Sequence, residues 1–108
     1  MSADAFAALD VRVGRIIRAE LNAKARKPAY KLWIDFGPLG ERRSSAQLTE
    51  LYEAEELAGR LVLAAMNLGS RSIAGFESEV LVLGVPDAEG HVVLITPDSD
   101  VPLGGRMY

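Results

Sequence analysis

The chain has 108 residues, 49% of them hydrophobic, with ten glycines, five prolines and no cysteine; this is one domain by length, able to bury its own core, without an apolar run near the ~20 residues of a membrane span. The missing cysteines exclude disulfides, thiolate metal ligands and thiol nucleophiles. The net charge of -3 conceals a basic third: residues 12–43 carry nine basic residues against three acids, a local +6, whereas residues 44–108 carry three against ten, a local -7.

In chain order, "MSADAFAALD" has neither the basic nor the apolar region of a secretory signal, so cytoplasmic residence without membrane insertion is expected. Phe6 and Leu9 mark a short amphipathic turn. "VRVGRIIRAE" begins as a strand, and its alternation shifts phase across Gly14, Ile16 and Ile17; a glycine at a phase shift suggests a bulge or sharp bend. "NAKARKPAY" reads as a polar loop. "YKLWIDF" alternates cleanly, with Tyr30, Leu32, Ile34 and Phe36 on a core face and Lys31, Trp33 and Asp35 opposite. The turn "GPLGE" joins it to "RRSSAQL" in a hairpin. "TELYEAEELAG" is the one helical stretch, with Thr49 as N-cap and Gly59 as stop. "RLVLAAMNL" is a buried strand, "NLGSRSIAGFESE" a loop too irregular for helix or strand, and "EVLVLGV" and "HVVLITP" form a hairpin around "PDAEG". The tail "DVPLGGRMY" is extended.

Residues 1–108 therefore read as a single all-β domain. A five-stranded barrel with a short helix between strands 3 and 4, plus short terminal extensions, is the arrangement of the oligonucleotide/oligosaccharide-binding (OB) fold. A small sandwich is the competing architecture, and it leaves the central helix unexplained.

The residues favour binding over catalysis. His91 is the one histidine, no metal-ligand spacing is present, "GPLGERR" lacks a Walker lysine, and the glutamates of "YEAEEL" and "GFESE" do not form a glycosidase-like pair. Neither an enzyme nor a cofactor is expected. Lys31 and Trp33 share one strand face, and across the hairpin lie Arg42, Arg43, Ser45 and Gln47. Cations answer phosphates, an indole stacks on a base, and hydroxyls and amides read sugars and base edges. The alternative is that Trp33 packs under a loop while the arginines keep the edge soluble.

"NLGSRSIAGFESEVLVL" (67–83) resembles the signature of the small tRNA-binding domain found alone or fused to aminoacyl-tRNA synthetases, through Asn67, Leu68, Arg71, Ile73, Gly75, Ser78 and Leu83. "LDVRVGRIIRAE" and "SSAQLTELY" match the same family, and "KARKPAYKLWIDFG" is similar to its CsaA-like group of free-standing secretion chaperones. The resemblance implies an OB barrel, binding of structured tRNA, and, for the CsaA-like group, homodimers that bind preproteins and the export motor SecA. It adds Asn67, Arg71 and Ser78 as nucleic-acid contacts, although Asn67 and Ser78 can equally serve the loop's own backbone. Several synthetase-linked members carry Ser-Gln where this chain has Ser78 and Glu79, and an acid there repels phosphate.

Two functions follow as expectations: a tRNA-binding module, and an export chaperone holding polypeptide or a signal peptide in an apolar groove lined by Tyr30, Trp33 and Phe76. The Phe6/Leu9 turn and the tail "VPLGGRMY" have apolar groups with few partners in a small barrel, which predicts a homodimer contact.

Overall fold

A computed structural model describes residues 3–108. Five strands form one antiparallel sheet in the order β3 (Glu41–Ala46), β2 (Tyr30–Asp35), β1 (Val11–Leu21), β4 (Leu61–Ala65) and β7 (Leu81–Val82). The sheet curls until its ends nearly meet: the backbone N–H groups of Glu79 and Val80 donate to Arg43 O at 2.8 and 3.3 Å. This is the expected OB-type barrel. Its core is Ile16, Leu32, Ile34, Phe36, Leu57 and Val62, all fully buried, and the alternation in "YKLWIDF" sends Tyr30, Leu32, Ile34 and Phe36 inward as read.

β1 serves two partners. Residues 11–15 pair with β4 and residues 15–21 with β2, so the strand must bend through the middle. The bulge lies at Ile17, between Ile16 and Arg18, at the end of the phase shift read across Gly14, Ile16 and Ile17 rather than at the glycine itself. Gly14 instead makes room for the core, because a Cβ there would lie 2.6 Å from both Ile34 Cγ2 and Phe36 Cε1.

The helix between the third and fourth strands is present but is one turn, α2 (Ala54–Leu57), rather than the whole of residues 49–59. Thr49 sits in a preceding turn. The N-cap is Glu53, whose backbone N–H donates to Glu56 Oε1 at 3.0 Å, and Leu57 enters the core.

The 67–79 stretch, read as irregular, contains a hairpin of three-residue strands, β5 (Arg71–Ile73) and β6 (Phe76–Ser78). The single strand expected over "EVLVLGV" is divided: β7 stays in the barrel, while β8 (Gly84–Pro86) leaves to pair with β9 (Val92–Leu94). The tail lies along the part of β1 that β2 leaves open, with Gly104, Gly105 and Met107 bonded to Val13 and Val11. Arg106 Nη2 donates to Ala7 O at 2.6 Å, holding the N-terminal helix α1 (Ala3–Ala8) beside it.

Candidate nucleic-acid interface

The outer face of β1–β2–β3 is set by register. Arg18 and Arg43 flank Trp33 on either side, and Glu20 and Ser45 flank Lys31. The bulge at Ile17 makes this possible, since unbroken alternation would have turned Arg18 away from Trp33. The Arg18 guanidinium carbon lies 4.5 Å from the Trp33 ring centre, and Phe76 meets the indole edge-on at 5.4 Å and 73°. Trp33 is half-buried, available at one part of its surface and held in place by its neighbours.

This face is less positive than its sequence suggests. Glu20 pairs with Arg18 and with Lys31 (3.7 Å), and Glu79 accepts from the Arg43 backbone N–H (2.9 Å) and from Nε (3.4 Å). Two carboxylates thus stand against three cations. Arg42 does not belong to the group, because it is paired with Ile34 and a strand turns successive side chains to opposite faces.

The unpaired cations lie next door. Lys24, Arg26 and Lys27, in the loop between β1 and β2, are exposed and have no carboxylate partner among the described residues. They border a hollow whose opposite wall is the β5–β6 hairpin and whose base includes Ser45, Gln47 and Ala29. Arg71, also unpaired and exposed, lines an adjoining hollow that shares Ser45, Gln47 and Ile73. The sequence reading missed Arg18, Lys24, Arg26 and Lys27. The signal for the last three was the acid-free run "NAKARKPAY" beside a strand carrying lysine and tryptophan.

The other expected contacts are engaged within the chain. Asn67 Nδ2 donates to Ala8 O (2.7 Å) and Oδ1 accepts from Asp10 N–H (3.0 Å), joining the start of the 67–70 loop to the N-terminal segment. Ser78 Oγ accepts from Ser45 N–H at 3.0 Å and helps close the barrel. Tyr30 and Phe76, expected in an exposed apolar groove, are 6% and 8% exposed. The Tyr30 hydroxyl donates to Tyr52 O at 2.8 Å, and burial, reinforced by Glu53, Glu55 and Glu56, raises its pKa above the ordinary value. The peptide-groove set therefore reduces to Trp33.

The family model described as "Putative tRNA binding domain" matches residues 11–106. The chain belongs to this family of tRNA-binding domains. Its fold is that of the chaperone CsaA from Bacillus anthracis, at 45% identity and a TM-score of 0.93, covering 100% of this chain and 98% of that one. A MetRS-related protein from Pyrococcus horikoshii superposes at a TM-score of 0.89 with 29% identity, covering 100% of this chain and 97% of the other. Methionine-tRNA ligases from Archaeoglobus fulgidus and Flavobacterium johnsoniae are each 36% identical, over 99% and 94% of this tRNA-binding domain. The domain spans 16% and 14% of the length of those two ligases.

Proposed function

We propose that this chain is a non-catalytic RNA-binding protein that grips folded tRNA through Trp33 and the cations around it. The observation that carries the reading is the set of four cations without carboxylate partners among the described residues, Lys24, Arg26, Lys27 and Arg71, around adjoining hollows beside the Trp33 face. Phosphate binding by such a set is sequence-independent and salt-dependent, and an aromatic side chain beside it adds stacking. Among the described residues no group of three or more metal-ligating side chains occurs. A filter-binding titration tests the reading, with tRNA bound more tightly than a DNA duplex of equal charge. Equal binding of the two would reduce the activity to nonspecific polyanion attraction.

A second reading, export chaperone, is supported by the likeness to CsaA chaperones over the full length of both chains. On that reading the ligands are preproteins or signal peptides and SecA, and the protein works as a cytoplasmic homodimer. Phe6 and Met107 are half-buried beside exposed Tyr108 around a hollow at the paired termini, which suits a two-fold contact. Light scattering tests the dimer. Competition between a labelled signal peptide and tRNA tests the chaperone reading, and a peptide that does not bind ends it.

A further inference from the structure

On the reading that this side of the molecule binds RNA, we propose that the hollow between the 22–29 loop and the β5–β6 hairpin takes one unstacked ribonucleotide, base inward and phosphate on the loop cations. The hollow encloses about 490 Å³, within the range of roughly 300–1,000 Å³ typical of small-molecule sites. Apolar surface comes from Ala29, which is buried, and Ile73, which is half-buried. Gln47 supplies an exposed amide that makes no hydrogen bond among the described residues. No carboxylate is part of the lining, and Lys24, Arg26 and Lys27 stand along one side.

The two walls are fastened to each other. Asn22, 6% exposed, accepts from Lys24 N–H at 3.1 Å through Oδ1 and donates through Nδ2 to Ile73 O at 3.4 Å. One buried amide thus ties the cationic loop to the hairpin and sets the width of the gap before any ligand arrives. A preformed gap limits the ordering cost of binding.

The mixture of surfaces selects the ligand class. Inorganic phosphate would use the cations and leave the apolar wall and Gln47 idle. A nucleotide uses all three: its phosphate meets the cations, a base face lies against Ile73 and Ala29, and the base edge meets an amide that both donates and accepts. Ser45 and Ser72 add hydroxyls within reach of a ribose. A paired base has its faces stacked and its edge occupied, so the hollow admits only a base turned out of a helix or carried in a single strand.

The test is amide-resolved NMR of the full chain titrated with 5′-AMP, 5′-CMP, inorganic phosphate and a single-stranded RNA tetranucleotide, alongside tRNA filter binding. The mononucleotides are expected to shift the amides of residues 24–27, 45–47 and 72–74 and to bind about tenfold more tightly than phosphate, with Gln47→Ala removing most of that advantage. Tighter binding of the tetranucleotide at the same amides assigns the site to nucleotides within an RNA chain; equal binding assigns it to free nucleotides and overturns the RNA part of the proposal. Phosphate as effective as 5′-AMP, or a Gln47→Ala variant that binds 5′-AMP normally, overturns the proposal. So does tRNA binding without movement of these amides by any single-stranded probe, which leaves the RNA reading intact. Failure to bind tRNA as well removes both.

Discussion

Trp33 reaches its setting through one extra residue in the neighbouring strand. With Ile17 bulged out, Arg18 and Glu20 both join the outer face beside Trp33 and Lys31, so the same bulge brings a cation to the indole and an acid to restrain it. Glu79 restrains Arg43 in the same way from the far edge. Each carboxylate lowers the local potential that a phosphate would meet, and each occupies a guanidinium or ammonium that would otherwise be free. Glu79→Gln keeps the shape, leaves an amide oxygen to accept from the Arg43 N–H, and deletes the charge. It is expected to tighten tRNA binding by about threefold to tenfold at low salt, with the gain shrinking as salt rises. Unchanged affinity at low salt would mean that Arg43 takes no part in the contact.

At the scale of elements, the short hairpins were the least legible part of the sequence. Strands of three residues, with Arg71 and Ser72 exposed and Glu77 half-buried, give no alternation long enough to read. The available signal was the turn. Ala74 and Gly75 have φ values of 49° and 81°, the two positive angles of a type I′ turn, and that turn favours Asn-Gly. Alanine is strained at such an angle. Ala74→Asn is therefore expected to stabilise the hairpin by about 0.5–1 kcal/mol, visible as slower amide exchange at Arg71 and Ser78. The strand segment "YKLWIDF" was legible because seven residues repeat the pattern, and both faces emerged as read. The Ile17 bulge was not, because a phase shift near a glycine does not say which residue is extruded.

The β8–β9 hairpin is governed by a carboxylate. Asp87 Oδ1 accepts from the backbone N–H groups of His91 and Glu89, both at 2.9 Å. Those bonds, the His91 one foremost, hold its pKa below the ordinary 3.8. A depressed carboxyl pKa means that the turn is held fully above the unfolded value and released as pH falls through the folded one. Amide exchange at Glu89 and His91, corrected for intrinsic rates, should accelerate below pH 3.8, and Asp87→Ala should abolish that acceleration. An acceleration that survives in the variant would place the acid-sensitive group elsewhere.

Across the whole molecule, charge is sorted by sequence position and then sorted again by folding. The basic third was plain in the sequence, but which of its members stay free was not, since Glu20 is near in the chain while Glu79 arrives from 36 residues away. Folding leaves the β1–β2 loop as a positive group without internal counter-charge among the described residues, and turns Arg42 away from Trp33. These placements separate two variants that sequence alone would rank alike. Replacing Lys24, Arg26 and Lys27 together by glutamine should flatten the dependence of log affinity for tRNA on log salt by about two to three units, from roughly 0.7–0.9 per phosphate contact. Arg42→Gln should change the slope by less than about half a unit, because its side chain faces away from the cations of the interface. Salt titrations of tRNA binding for the two variants decide the matter. A larger loss from Arg42→Gln would move the binding surface to the opposite face of β3 and away from Trp33 altogether.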